Sequence, residues 1–478
     1  MSKRSRRLLI GAGILAAAFL VLVACVALFV HVDRYKSSIE SAVSETLGME
    51  FKVRGKVSLG LLPRPRLTLA DIHLSKGKTD ILWADDLQAS LRWIPFLLHQ
   101  TLSIDGISLE HPTIRIEQSP QTSRTSQTSH GQVSDQDTTS RPGTMSRISV
   151  LRGDVTYVDR TSGRSVLAGN LDLRLTDISW HHSTALQPLT LLKSLGFHGT
   201  LHVATLQLGT FKASDLSCGI KNEAGLLQLD PTAIVLFGGT SRGSLTLDLT
   251  GSSPRIRLVQ AASQIDLTQV FPVRIFSGTA QASLDVEGTG SDQQAITKTL
   301  KGRAAFRSEH ITINSLNIDG LIADYNRTQN FSLIDLGALV IAGPFAPLVT
   351  KGVDFSRLAV FGRMGNGKSE IRRVVSDWTI VDGIAQTKDV AFTTPKNAVA
   401  FRGDFDFVNG RYVHFFVATV DQQGCAQVKR EVSGPLGHPH VEGPGSASLG
   451  PFKTAFQNTK KLFQSQKCDL FYSGSAIQ

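Results

Sequence analysis

Apolar residues in this chain recur at every second position through one short run after another, and that alternation leaves sheet as the economical way to fold it. From Phe51 to Leu59, Leu67 to Leu74, Leu87 to Trp93, Leu102 to Leu109 and Ile114 to Ile116 the period is mostly two, which gives each strand one greasy and one polar face. The turn Pro63-Arg64-Pro65 separates the first two runs. The same grammar resumes at Ile148 in VLRGDVTYVD, LAGNLDLRLTDISW, FHGTLHVATLQLG and the long run from Ser214 to Gly251, with Gly, Asn or Asp at the turns as hairpins require. Helical signals are few. Asp33 to Leu47 repeats apolar residues at three- and four-residue spacing, with Asp33 placed to cap and Gly48 placed to stop. A short turn is expected near Leu267 to Phe276, a helix capped by Ser291 from Ser291 to Leu300, and from Phe452 to Phe463 a closing helix that covers a sheet edge, a weakly amphipathic contact helix being the other reading.

Ahead of the strands stands an uncharged segment, Leu8 to Val32, preceded by Lys3, Arg4, Arg6 and Arg7. A bilayer needs roughly 20 apolar residues, so this segment can span one. The cations in front of it place the N-terminus in the cytoplasm and the remaining chain across the membrane. A cleaved signal peptide has a shorter apolar region and a small-residue site, which this segment lacks. Leu22-Val23-Ala24-Cys25 also fits a bacterial lipobox, so lipidation at Cys25 stands as the second reading, against which the chain stays apolar from Val26 to Val32.

The net charge of +10 would suit nucleic acid or an anionic surface in a soluble protein. Here several cations belong to the N-terminal tip and the others alternate with apolar residues along strands, so no nucleic-acid partner is expected. Gln118 to Ser146 is almost free of large apolar residues and reads as a disordered linker. Gly362 to Ser369 fits the phosphate-loop spacing letter for letter. That loop must open a helix, and the residues after it read as strand, so no nucleotide site is assigned. No spacing indicates a metal site, a cofactor or a catalytic set, and the adjacent pair His181-His182 would point to opposite faces of a strand. Three cysteines follow the apolar segment. Cys425 and Cys468 are the preferred disulfide, two buried free thiols being the other reading, and Cys218 is left over.

Several stretches resemble the AsmA family. Asp33-Arg34-Tyr35, Leu47-Gly48, Arg54-Gly55-Lys56-Val57, the proline turn and Leu67-x-Leu69-x-Asp71-Ile72-x-Leu74 follow its N-terminal motifs in order, and LSIDGISLEHPTIRIEQ continues them. LDVEGTGSDQQAITKTLKGRAAFRSEHITINSLNIDGLI and SDWTIVDGIAQTKDVAFTTPKNAVAFRGDFDFVNG follow later cassettes, and VSGPLGHPHVE resembles the closing turn, with Pro435 where Thr is common. The resemblance implies a mostly β fold: an elongated, curved antiparallel β-groove behind one N-terminal transmembrane helix, with few short helices. It implies the bacterial inner membrane with the body in the periplasm. The expected organisation is a tip and anchor over 1–32, a helix plus β-module over 33–117, the linker over 118–146, a repeating groove over 147–450 and a capping tail over 451–478. The function implied is a non-enzymatic phospholipid carrier or conduit whose apolar groove shelters acyl chains between the inner and outer membranes. Val57, Leu59, Leu67, Leu69, Ile72, Leu74, Leu87 and Leu91 are the candidate groove residues, and the Asp33 to Leu47 helix is the expected mouth. A partner-binding scaffold for outer-membrane or envelope assembly is the alternative, which Asp at Leu67 or Leu69 would spare while abolishing lipid binding in a carrier.

Overall fold

A computed structural model of the chain describes residues 35–60, 65–77, 79–92, 104–118, 143–160, 163–180, 188–209, 211–270, 276–314, 317–320, 322, 367–436, 440–441 and 468–478. The apolar segment Leu8 to Val32 with Cys25, the cap Asp33, the pair His181-His182 and the tail helix Phe452 to Phe463 lie outside them. Among the described residues no helix is long and apolar enough to cross a membrane. The chain divides into two compact units, 1–225 and 226–478, so that the division falls within the stretch read as one groove.

The first unit is built from α1 (Lys36–Leu47), β1 (Glu50–Val53), β2 (Val57–Gly60), β3 (Arg66–Lys76), β4 (Thr79–Leu91), β5 (Ile104–Glu110), β6 (Thr113–Gln118), β7 (Gly143–Asp159), β8 (Arg164–Trp180), α2 (Pro188–Ser194), β9 (Leu195–Leu208) and β10 (Phe211–Glu223). β1 and β2 both pair with β3, then the order runs β3, β4, β5 with β6, β7, β8, β9, β10. All pairings are antiparallel except two: β5 and β6 run parallel to β7. The uniform antiparallel expectation is corrected here. A parallel neighbour needs a crossover of a dozen residues or more, and the chain between Gln118 and Gly143 supplies one. β7 also begins at Gly143, so the linker ends four residues before its expected end: the backbone of Gly143 to Met145 pairs with Trp180 to Ile178 despite its polar sequence.

One line of irregularity crosses this unit. Asp71, His111, Arg152, Asn170 and Asp215 each have φ between 47° and 54° although none is glycine. The strand registers bring them level, on β3, the β5–β6 junction, β7, β8 and β10. Such residues occupy a sparsely populated conformation, and they form a crease across which the strand registers continue unshifted except between β7 and β8. Two of the strained amides are held by carboxylates of the adjoining strand: Arg152 N donates to Asp172 Oδ1 at 2.9 Å and Asn170 N to Asp154 Oδ1 at 3.0 Å. At this crease the apolar alternation slips by one residue, from Leu67 and Leu69 to Ile72 and Leu74 on β3, and from Ile148 and Val150 to Val155 and Tyr157 on β7.

The second unit is an antiparallel meander of β11 (Leu226–Leu236), β12 (Gly239–Asp248), β13 (Arg255–Asp266), β14 (Phe276–Thr289), β15 (Lys301–Asn314), β16 (Lys368–Val381), β17 (Ile384–Thr393), β18 (Ala398–Asp406), β19 (Arg411–Val420), β20 (Ala426–Ser433) and β21 (His440–Val441). α3 (Leu267–Val270) and α4 (Gln293–Lys298) interrupt it. α4 is capped by Asp292, whose carboxylate accepts from Ala295 N at 2.9 Å, in place of the expected Ser291. A carboxylate suits that position because it also meets the positive end of the helix dipole. α1 starts at Lys36, with Tyr35 before it making no side-chain cap, and ends at Gly48 in the left-handed conformation, as the glycine there requires.

Gly199 shows how closely the first sheet is drawn. A Cβ there would lie 1.9 Å from the carbonyl oxygen of Arg174 on β8. Gly199→Val is therefore expected to cost about 1–3 kcal/mol through overpacking, read as a lower urea midpoint.

Candidate apolar binding face

Cross-strand registers place aliphatic side chains of the first unit in continuous rows. One row runs Val57, Leu69, Leu87, Leu109, Val150, Leu173, Leu201 and Cys218, each opposite the next on β2, β3, β4, β5, β7, β8, β9 and β10. A second runs Leu59, Leu67, Ala89, Ile107, Ile148, Leu175, Gly199 and Ile220 along the same strands. Beyond the crease a third continues the face through Leu74, Leu82, Ile114, Val155, Ala168, Leu206 and Ala213. Neighbouring strands lie about 4.8 Å apart, so eight strands give a face on the order of 34 Å wide. The opposite face reads Ser149, Arg174, Thr200 and Gly219 in register, which is polar.

The face is sealed at one end and half-open along the remainder. Phe51, Val53, Val57, Leu69, Ile72 and Ala84 form a packed cluster with Ile39 and Val43 of α1 against it. α1 also covers the edge of β1: Glu40 Oε1 accepts from Val53 N at 2.8 Å, Ser44 Oγ accepts from Phe51 N at 2.9 Å, and Lys36 Nζ donates to Gly55 O at 3.2 Å. The helix expected to be a mouth thus lies over packed side chains. Of the eight residues singled out from sequence, Val57, Leu69 and Ile72 are 7, 3 and 1% exposed and sit in this cluster. Leu59, Leu67, Leu74, Leu87 and Leu91 are half-buried on the same face. Further along, Val150, Leu173, Leu175, Leu201, Leu206 and Ile220 are half-buried as well, and Leu208 is 44% exposed. Sequence alternation had marked these later strands but had not picked out their residues. Cys218 ends the first row, buried, and burial pushes its thiol up, away from reactivity.

The apolar face of the second unit is filled. Trp378 stacks on Phe405 at 4.7 Å, Phe405 on Phe415 at 4.9 Å, and Phe392, Phe401 and Tyr412 complete the cluster. Burial pushes the Tyr412 hydroxyl up to about 12. Trp378, Phe392, Phe405 and Phe415 are no more than 1% exposed.

The sequence profile of the AsmA family matches residues 1–186 and 201–374, most of the chain. The chain belongs to the AsmA family. That membership goes with an envelope-related function, in a family not known for enzymes. No curated protein and no solved structure matches the chain.

In this AsmA-family chain the phosphate-loop spacing ends in strand. Lys368 opens β16, and Ser369 is buried with its Oγ accepting from Ile318 N at 2.7 Å; residues 362–366 lie outside the described residues. Among the described residues no group of three or more His, Cys, Asp or Glu is placed to hold a metal ion. Cys425 and Cys468 are joined in a disulfide, which ties residues 468–478 to the start of β20. This segment packs Phe471, Tyr472 and Ala476 onto Val375, Ala391, Ala400, Ala418 and Val420, on the face of β16 to β19 opposite the aromatic cluster. The Tyr472 hydroxyl donates to Asp389, and Ser475 donates to the same carboxylate from N at 3.0 Å and Oγ at 2.7 Å. Burial, with that bond to Asp389, holds the Tyr472 hydroxyl well above its ordinary value.

Proposed function

We propose that this protein is a non-enzymatic lipid carrier of the bacterial envelope, held in the inner membrane through Leu8 to Val32 with its body in the periplasm. The observation that carries the reading is the run of half-buried aliphatic rows over β5 to β10. A soluble domain ordinarily covers such a face with a second layer, and a half-open one suits an apolar ligand. Acyl chains fit it because each methylene removed from water contributes about 0.8 kcal/mol, and no bond need break. The Cys425–Cys468 disulfide supports an oxidising compartment such as the periplasm.

Val150, Leu173, Leu175 and Leu201 are the residues that would meet the acyl chain. Lipid mass spectrometry on protein extracted under mild conditions tests the reading directly: phospholipid should copurify. Leu173→Asp combined with Leu201→Asp should reduce bound lipid at least tenfold, because two charges then line the row, while the melting midpoint moves little at these half-buried positions. Leu69→Asp is the wrong probe, since Leu69 is packed and its replacement would unfold the cluster under α1. Lipid-free protein that still supports the envelope would point to a scaffold instead.

A further inference from the structure

The second unit carries a polar cleft of about 590 Å³ to which none of the aliphatic rows contributes. Its walls are Arg372 and Arg373 of β16, Lys396 in the turn from β17 to β18, Asp421 after β19, and Ala476 to Gln478 of the segment held by the disulfide. Strand alternation alone would send Arg372 and Arg373 to opposite faces. His310 on β15 takes a φ of 54° between the pairs Glu309–Arg373 and Ile311–Ile371, and the alternation of β16 slips there by one residue. Ile371 and Val374 both join the packed cluster, so the two arginines between them both reach the cleft. The other walls are fixed by hydrogen bonds. Thr394 Oγ1 accepts from Asn397 N at 2.9 Å and donates to Asp319 Oδ1 at 2.5 Å, and Asn397 Nδ2 donates to the same oxygen at 2.6 Å, which holds the turn that carries Lys396. Arg373 Nη1 donates to Ser475 O at 2.8 Å and fastens the last wall.

The charges in the cleft are not evenly matched. Arg373 pairs with Glu309 at 3.5 Å and His310 with Glu370 at 3.2 Å. Asp421 Oδ1 accepts from the amides of Gln423 and Cys425 at 3.0 and 2.8 Å. Arg372 and Lys396 are exposed, and neither makes an ion pair among the described residues. Two cations without a carboxylate, beside the neutral amide of Gln427, suit an anion of more than one charge. A phosphate monoester carries about 1.5 to 2 charges at neutral pH, and a guanidinium meets it through two parallel N–H···O bonds. We infer that this cleft binds a phosphate monoester, with Arg372 as the fork on its oxygens and Lys396 meeting them from the turn. The group bound is polar, since the walls offer an acyl chain little beyond Ile477. Phosphate binding here does not require lipid carriage by the first unit.

Full-length protein in detergent, titrated calorimetrically with glycerol 3-phosphate, should bind it, and Arg372→Gln combined with Lys396→Gln should raise the dissociation constant roughly tenfold or more. Lys388→Gln with Arg402→Gln removes two exposed cations of the same unit outside the cleft and should leave binding unchanged. Inorganic phosphate and dihexanoyl phosphatidic acid separate the sources of the group. Phosphatidic acid that binds much more tightly than the glycerol ester, and is lost with Arg372 and Lys396, makes the ligand a lipid headgroup; equal binding makes it a free ester. In wild-type protein, glycerol 3-phosphate should slow acetylation of Lys396 by acetic anhydride several-fold while Lys388 reacts as before, a readout that needs no variant to fold. Absence of binding by all three probes, equal loss from the two pairs of substitutions, or equal acetylation of Lys396 with and without the ester would overturn the site, whether or not phospholipid copurifies.

Discussion

Trp378→Ala is expected to cost the second unit about 3–5 kcal/mol, the usual penalty for emptying a buried aromatic site. Trp378 is 1% exposed and stacks on Phe405 at 4.7 Å and on Phe415 at 6.5 Å. Its Nε1 donates to Ser376 Oγ at 2.8 Å, so truncation also leaves a buried hydroxyl without that partner. The strands around it are already full: Phe392, Phe405 and Phe415 hold neighbouring positions at no more than 1% exposure, and little can collapse into the space. Urea unfolding followed by circular dichroism should show the lowered midpoint, while phospholipid bound at Leu173 and Leu201 in the first unit should be retained. Loss of lipid together with unchanged stability would mean that the aromatic cluster is itself a lipid site.

Cys425→Ser with Cys468→Ser should be nearly as severe, but local. The bridge closes a separation of 43 residues, for which chain entropy gives about 4 kcal/mol. The residues it secures make contacts of their own: Tyr472 and Ser475 on Asp389, and Arg373 Nη1 donating to Ser475 O at 2.8 Å. Lys429 lies over the Phe471 ring at 5.5 Å. Without the tether this short segment must repay its ordering entropy from those contacts alone. Limited proteolysis should then release residues 468–478 from the double variant, or from reduced wild-type protein, well before the remaining chain is cut. Equal protease resistance with and without the bridge would show that the Asp389 cluster suffices.

Much of the fold was legible because strands carry their own periodicity. The slip at Asp71 was written in the sequence, as Leu67 and Leu69 pass to Ile72 and Leu74, but the run was read as one alternating strand. What alternation could not tell was coverage. Val57, Leu69 and Ile72 read like Val150, Leu173 and Leu201, yet α1 packs over the first group and leaves the second half-open. Nor could it show direction: β6 and β7 are separated by a polar stretch with no periodicity, so nothing local distinguishes a hairpin from a crossover. The helix caps differ for a smaller reason. Ser291 and Asp292 are both good caps, and the choice falls on the residue whose carboxylate reaches Ala295 N.

The aligned left-handed residues separate two properties that a binding sheet usually couples. The crease is written in the torsions of Asp71, His111, Arg152, Asn170 and Asp215, with Asp154 and Asp172 holding two of the amides from the adjoining strands. None of these residues belongs to the aliphatic rows. Contour is thus set by backbone and aspartates, and lining by leucines, isoleucines and valines, so the girth and greasiness of the lining can be retuned residue by residue without redrawing the contour.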